Sequence, residues 1–427
     1  MSFAQQSRIE PDLEAVLAAA RRGRSGEILI AGGGIGGLAT ALALAKKGMT
    51  SHVLERRPAF AEDGAGIQIG PNGTRILAEL GIADTLSPLV GRPEAIRVRD
   101  AGSGRDLVRL PLGDWIERRH GAPYWTAHRK DLHAALAARV RADPLVRLSM
   151  STDVIDAASD DNGVAVASSD GRTFYGRALI AADGLWSDVR RRVFGAGLPR
   201  FALESAARSV VAIDKVPPAL HGAETGLWLS PKAHVVHYPV STGSELAIVV
   251  ILRDSDRGED WSVRVDAGWI AAAASDFAPD LRRLLAAPES WRKWSLHTLN
   301  MPRKWTQGRI ALLGDAAHPV LPFLAQGAVL ALEDAVVLAD TLAREPQDTS
   351  GALRNYERLR RPRAARVERA SRWNGHGYHM SGVLASARDG VLASVPPERL
   401  MARYDWLYGW KGTSRGQTRH VEDMPPA

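Results

Sequence analysis

The sequence contains no cysteine. That single absence removes disulfide scaffolds, thiolate metal sites, haem-thiolate chemistry and redox-active dithiols together. Long apolar runs are also missing: none approaches the roughly 20 residues needed to cross a bilayer, so no membrane span is expected. Residues 1–26 place Glu10, Asp12 and Glu14 before an apolar stretch and Arg21, Arg22 and Arg24 after it. A secretory signal has the opposite order, so the segment reads as a leader before the first strand, and a cytoplasmic location is expected. Basic patches interleaved with aromatics are lacking too, which argues against nucleic acid as a partner. The densest basic runs, Arg190 to Arg192 and Arg360 to Arg366, read as solvated helix faces. Internal repeats and low-complexity segments are absent. The net charge of +7, from 55 basic and 48 acidic residues, suits an anionic cofactor and a small anionic substrate.

What the chain does contain is concentrated first between Ile28 and Glu55. An apolar run, Ile-Leu-Ile-Ala, leads into Gly-Gly-Gly-Ile-Gly-Gly, an alanine-rich helix and a second apolar run closing on Glu55. This is the pattern of a Rossmann-like βαβ unit. Gly32 permits the tight turn out of the strand, Gly34 lets backbone approach a pyrophosphate, and Gly37 lets the helix pack closely. The helix N-terminus offers unpaired N–H groups and positive dipole to the phosphates. Glu55 follows at the usual spacing of about 20 residues, placed to accept hydrogen bonds from a ribose. The turn alone leaves open whether the ligand is FAD or a nicotinamide.

At 427 residues the chain is long enough for two or three domains of about 150 residues each. Helical spacing predicts helices over 72–80 and 129–141, hairpin-like strands over 147–175 and a buried strand over 177–182. From about residue 201 the texture changes to strands of an antiparallel sheet, at 210–213, 226–229, 234–240 and 246–252, followed by helical residues around 266–286. At 309–313 the αβ texture returns, with a long helix over 326–342, and the tail from Asn355 reads as mainly helical. The expected division is a discontinuous dinucleotide domain (27–92, 129–200 and 296–350), an inserted substrate domain (93–128 and 201–295) and a C-terminal helical region (351–427).

Two further motifs join the glycine turn. Leu179-Ile-Ala-Ala-Asp-Gly-Leu-Trp-Ser-Asp-Val-Arg190 reads as strand, Asp-Gly turn and helix start. Arg309-Ile-Ala-Leu-Leu-Gly-Asp-Ala-Ala-His-Pro319 precedes Gly327 and Ala328 at another helix start. In this order the three motifs resemble the single-component, FAD-dependent aromatic hydroxylases, and the likeness extends over nearly the whole chain. Gly66-Ile-Gln68, His128-Arg-Lys-Asp-Leu-His133 and Tyr404-Asp-Trp-Leu-Tyr-Gly409 look like the salicylate and 3-hydroxybenzoate hydroxylase branch.

The resemblance implies an α/β fold: a glutathione-reductase-type FAD-binding domain, an inserted antiparallel-sheet substrate domain and a helical C-terminal tail. It implies FAD as cofactor, NADH or NADPH as transient co-substrate, dioxygen, and hydroxylation of a phenolic acid through a flavin C4a-hydroperoxide. The expected substrates are of the 3-hydroxybenzoate or salicylate type. A hydroxypyridine carboxylate such as 6-hydroxynicotinate is the alternative, and a flavin oxidase or dehydrogenase is the rival chemistry. A homodimer is left open.

Residue by residue, the resemblance places FAD against Gly32, Gly34, Gly37, Glu55, Arg56, Gln68, Arg129, Asp183, Arg190, Asp315, Gly327 and Ala328. Asp315, after the close turn at Gly314, is placed to meet the ribityl chain. The helix beginning near Gln326 would aim its positive end at the flavin pyrimidine ring. His318, before Pro319, reads as structural. Strand alternation puts His234, Val236 and Tyr238 on one face and His237 on the other. The family's phenol-activating base falls on His234, with Tyr238 beside it, and an imidazole of ordinary pKa near 6.5 suits that task. Tyr124 and Arg208 are candidate substrate contacts, Arg208 for a carboxylate. Pro322 stands where the 3-hydroxybenzoate branch tends to have glutamine, which removes a hydrogen-bond partner beside the flavin. Phe323 and Leu324 next to it are placed to shield that region from water.

Overall fold

The computed structural model describes residues 26–60, 65–255 and 263–412. Apart from residue 26, the expected leader lies outside them. Five strands form the parallel part of a six-stranded sheet: Ile310–Leu312, Ala178–Ala181, Ile28–Ala31, Ser51–Leu54 and Val146–Ser149, in that spatial order. Thr306–Gln307 adds an antiparallel edge. The strands Ile28–Ala31, Ala178–Ala181 and Ile310–Leu312 are buried along their whole length. Helices cover both faces of a parallel sheet, so such strands read as unbroken apolar runs rather than alternating ones. That explains why they were visible in the sequence. Val146–Ser149 was expected to open a run of hairpins and instead ends the parallel sheet beside Ser51–Leu54. Four residues are too few for periodicity to separate the two outcomes. The hairpins begin afterwards, as an antiparallel layer of Val154–Ser159, Val164–Ser168 and Thr173–Gly176.

The second large sheet has eight strands in the order Val263–Val265, Trp291–Thr298, Arg200–Ala212, Glu245–Arg253, Ala233–Val240, Glu224–Leu229, Ala95–Asp100 and Asp106–Pro111. Every neighbouring pair is antiparallel except Glu224–Leu229 with Ala95–Asp100. Its faces differ. Ala207, Val235, Ile248 and Val250 pack on one side with Ile270, Leu281 and Leu284 of the helices Ala267–Ala273 and Pro279–Ala286. The alternate residues point the other way, toward the two-stranded ribbon Gly66–Ile69 and Trp125–His128. A Cβ on Gly66 would lie 2.5 Å from the Ala247 side chain and 2.6 Å from the Tyr238 ring, so only glycine admits this contact. One strand is longer than its sequence suggested: 210–213 is the end of Arg200–Ala212. Its earlier half escaped notice because a register shift between Phe201 and Ser205 breaks the alternation. The helix Gly113–His120 was also not anticipated.

The C-terminal region supplies the 30-residue helix Thr349–Tyr378, which packs along Gly327–Arg344. Here the reading of Arg360 to Arg366 as a solvated face is corrected. Arg360 is 1% exposed and donates from Nε to Asp334 Oδ1 at 2.7 Å, and its guanidinium lies 2.9 Å from Glu333. Arg363 grips Glu333 at 2.6 Å. Two buried carboxylates on a neighbouring helix demand buried cations, and a run of arginines does not reveal which members answer that demand. Arg190 is likewise buried, although Arg191 beside it is exposed.

Candidate active site

The glycine turn is built as its spacing suggests. Gly32 has φ of +101°, and a side chain there would strike the Ala182 carbonyl at 2.5 Å. A Cβ on Gly37 would come within 1.9 Å of the Gly32 carbonyl oxygen, so the helix Ile35–Ala45 sits directly against the turn. Gly34, its N-cap, has nothing within 4 Å of a hypothetical Cβ and no side-chain cap. The turn therefore leaves room beside a helix start that no side chain caps, the arrangement an anionic phosphate fills. Glu55 is buried, and its carboxylate accepts from Gly33 N at 2.7 Å and from Arg57 N at 2.9 Å. It thus fixes the turn. Arg56 beside it is exposed. His133 hydrogen-bonds the Gly33 carbonyl at 2.8 Å and packs edge-on against Phe60. Its support of the turn was not read from the sequence, where it stood only as part of a motif.

Asp183 and Asp315 end adjacent parallel strands. Burial pushes the Asp183 carboxyl up to about 6, and its Oδ1 has no hydrogen-bond partner. Arg190, 1% exposed, donates to the carbonyls of Ala316 at 3.2 Å and Leu185 at 2.6 Å. Its guanidinium braces the Asp-Gly turn against the Gly-Asp-Ala-Ala turn. Asp315 and Arg129 are both open to solvent, yet surrounding protein desolvates their charges. Burial raises the Asp315 pKa and lowers that of Arg129, while each attracts the other. Side chains that are accessible and desolvated at once line a deep cleft.

Gly314, at φ +61°, makes the turn that presents Asp315. His318 donates to or accepts from Asp334 at 2.6 Å with both side chains buried, so it belongs to the scaffold. Gln326 caps the helix that begins at Gly327 and Ala328, without a side-chain cap on the backbone. Its side chain instead accepts from Asn72, which also donates to Glu333. The helix N–H groups are thereby left available to a ligand. Gln68, on the ribbon, accepts from the Tyr124 hydroxyl at 2.9 Å.

These features fit FAD. An uncapped helix N-terminus suits the pyrophosphate, an unpartnered buried carboxylate oxygen and a cleft-lining aspartate suit hydroxyls, and a second uncapped helix suits the electron-rich end of a reduced ring. Asp315, Arg129, Gly34 and Gly327 would be in reach of it.

The facing wall comes from the eight-stranded sheet. His234, Ile251 and Ala206 are aligned across three strands, as are Val236, Val249 and Arg208, and Tyr238, Ala247 and Val210. Residues in register point to one face, so His234, Tyr238 and Arg208 all look toward the ribbon. Arg208 stacks over Trp294 at 5.2 Å, and its Nε has no hydrogen-bond partner. Burial lowers its pKa, with Tyr238 and Arg129 as the nearest electrostatic neighbours.

His234 is 1% exposed, and its ring lies 5.5 Å from Phe323 and 5.1 Å from Tyr378. Burial, with His379 adding to it, holds its imidazole down to about 3, so it is neutral with a lone pair to offer. Burial also raises the Tyr238 and Tyr124 phenols above their ordinary range. Pro322 opens the short turn Pro322–Leu324, which is held by Ser371 donating to the Leu321 carbonyl at 2.6 Å and Tyr378 donating to that of Phe323 at 3.2 Å. The partner of His234 was missed: its Nδ1 lies 2.9 Å from His379 Nε2. No local signal marks His379, which stands 145 residues away.

A fold with this glycine turn, paired aspartate turns and an opposing antiparallel sheet defines a flavin-dependent hydroxylase. The chain belongs to the family described as FAD binding domain, whose model matches residues 25–371. The 3-hydroxybenzoate 6-hydroxylase of Polaromonas naphthalenivorans is 35% identical over 384 residues, 90% of this chain and 96% of that one. Among solved structures, Klebsiella pneumoniae HpxO complexed with FAD and uric acid superposes with a TM-score of 0.79 at 27% identity, covering 88% of this chain and 95% of that one. A salicylate hydroxylase substrate complex gives 0.77 at 25% identity, covering 90% and 95%. The chain is thus an FAD-dependent aromatic monooxygenase. Among the described residues no helix is long and apolar enough to cross a membrane.

Proposed function

We propose that the chain hydroxylates the ring of a phenolic aromatic acid of the 3-hydroxybenzoate or salicylate type, using NADH or NADPH and dioxygen. One observation carries the substrate class. Arg208 and His234 share the cleft-facing side of the same sheet, the first a guanidinium with an unpartnered nitrogen, the second a neutral imidazole. A carboxylate satisfies Arg208 through charge-assisted hydrogen bonds. A phenol oxygen then meets His234 Nε2, which accepts its proton and leaves the ring electron-rich. Bound FAD, once reduced by the nicotinamide, would activate dioxygen so that one of its oxygen atoms reaches the ring and the other leaves as water. Phe323 and Tyr378 cover His234 and keep water from that region. Tyr124 fixes Gln68 at the cleft floor through its hydroxyl.

In this reading the eight-stranded sheet is the substrate side and the parallel sheet the cofactor side, and the nicotinamide visits without a fold of its own. The enzyme would work in the cytoplasm.

The test is NAD(P)H oxidation across hydroxybenzoates and hydroxypyridine carboxylates, with products identified by mass. Stimulated oxidation coupled to a hydroxybenzoate product is expected. Exclusive turnover of a hydroxypyridine acid would move the substrate class, and turnover without any nicotinamide would sink the reading. His234→Ala should retain yellow FAD and lose hydroxylation by about 100-fold or more, the usual scale of general base catalysis.

A further inference from the structure

The buried position of His234 creates a difficulty for a base: a proton left on its imidazole would be a charge without solvent and without a carboxylate in contact. The structure offers an outlet. His234 Nδ1 lies 2.9 Å from His379 Nε2, and His379 Nδ1 lies 3.7 Å from Glu204 Oε1. Glu204 is in the cleft-facing set of its strand, two residues from Ala206, beside the register shift between Phe201 and Ser205. Leu203 within that shift has φ of +58°. Irregularities of this kind re-aim side chains beside active sites. His379 directly follows the helix Thr349–Tyr378, held by its N–H to the Gly375 carbonyl at 3.3 Å. Exposure rises along the row: His234 is 1% exposed, and the side chains of His379 and Glu204 are 9% and 18% exposed.

We propose that His379 and Glu204 form a proton relay that carries the phenolic proton of the substrate from His234 to the surface. The proposal rests on the reading of His234 as the base. With His234 donating from Nδ1, its Nε2 keeps the lone pair that takes the proton: the phenol O–H bond breaks and an N–H bond forms. The Nδ1 proton passes to His379 Nε2, and the His379 Nδ1 proton passes to the Glu204 carboxylate and on to water. The last gap of 3.7 Å closes with a small side-chain shift or one bridging water. No charge stays on either ring. When the new ring C–O bond has formed and the substrate oxygen is reprotonated, the same row runs backward and both tautomers are restored.

The surroundings agree. Burial pushes Glu204 up, with Arg253 opposing, and burial then Arg253 and His376 lower His379 to about 4, so donor and acceptor are drawn toward each other. The other groups packed on the pair are Tyr378, whose burial keeps its phenol protonated, and Phe323.

The test needs no turnover. Oxidised holoenzyme is mixed with 3-hydroxybenzoate or salicylate in weak buffer containing a pH-indicator dye, and the rates of proton release and of phenolate absorbance are followed. His379→Gln and Glu204→Gln are expected to slow both about tenfold or more, with FAD content and substrate affinity held. Added imidazole is expected to restore the rate in His379→Ala, which a purely packing role would not allow. Proton release at the wild-type rate in both glutamine variants overturns the relay. If His234→Ala is slow in the same experiment, the base assignment survives that outcome. A His234→Ala variant as fast as the wild type overturns the base and the relay together.

Discussion

The two walls of the cleft are built on opposite principles. The phosphate end of the cofactor wall is local: Gly32, Gly34, Gly37 and Glu55 fall within one strand–helix–strand unit, and backbone geometry does most of the work. The substrate wall is assembled at a distance. Arg208 and His234 come from strands separated by a third, and His379 arrives from the C-terminal helix. A local site tolerates little change of shape because its backbone atoms are packed within van der Waals contact of one another. A distributed site depends on packing between elements and can lose function while the fold persists. Substitutions on the two sides should therefore fail differently: on the cofactor side through stability and flavin content, on the substrate side through rate and affinity.

The largest effect is expected beneath the cofactor. Asp334 is fully buried between His318 and Arg360 and accepts from Gly314 N at 3.1 Å. Asp334→Asn leaves Arg360 short of a counter-charge in the interior, which costs about 3–5 kcal/mol when one partner of a buried pair is removed. The measurement is denaturant unfolding of the holoenzyme, and a loss below about 1 kcal/mol would show that Glu333 alone suffices. The pH dependence follows. Although burial opposes it, contact with His318 and Arg360 holds the Asp334 carboxyl down to about 2, below its unfolded value near 4. Its stabilisation is complete above pH 4 and fades as pH falls toward 2. Histidine burial acts earlier. His234 and His237 are each lowered to about 3, so the unfolded chain binds more protons than the folded one below about pH 6.5. Stability should decline from there downward, and replacing His237, which faces away from the cleft, by Phe should flatten part of that slope.

Gly37→Ala comes next. Its methyl would enter the space of the Gly32 carbonyl, so helix and turn must separate, at about 3 kcal/mol, the upper end of ordinary overpacking. Purified protein should be depleted in flavin absorbance. Full FAD occupancy with unchanged melting would mean that the turn yields where its packing says it cannot.

These contrasts explain what was legible. The parallel strands show in the sequence because total burial writes continuous apolar runs, and Gly32, Asp183 and Asp315 show because each shapes its own turn. The alternation of Ala233–Val240 was enough to sort His234 and Tyr238 from His237. What stayed hidden is what needs a partner from elsewhere. Arg360 looks like any surface arginine until Glu333 and Asp334 are set against it, His379 has no motif around it, and the bracing role of Arg190 shows only when the Ala316 carbonyl is placed.

On the substrate side Arg208→Met should leave folding and FAD intact, because the methionine side chain keeps the packing on Trp294 and removes a guanidinium whose Nε has no partner. Loss of a hydrogen bond to a charged group is worth about 2 kcal/mol, or roughly 30-fold in KM for an aromatic acid. The corresponding phenol without a carboxylate should hardly distinguish the variant from the wild type. An equal penalty for both compounds would mean that Arg208 shapes the cleft rather than reading the acid.

The smallest effect tests where the two walls meet. Pro322 opens the turn that presses Phe323 against His234, and the turn is secured independently by Ser371 and Tyr378. Pro322→Gln releases one fixed backbone angle in the unfolded chain and should cost no more than about 1 kcal/mol. It adds an amide able to donate and accept beside the cleft, so ratios of kcat/KM among 3-hydroxybenzoate, salicylate and 6-hydroxynicotinate should shift by a few-fold while melting barely moves. A change in melting larger than the change in selectivity would place Pro322 with the scaffold of the cofactor wall. Selectivity that moves alone places it with the residues that read the substrate, because only a side chain facing the ligand can alter a ratio without altering the fold.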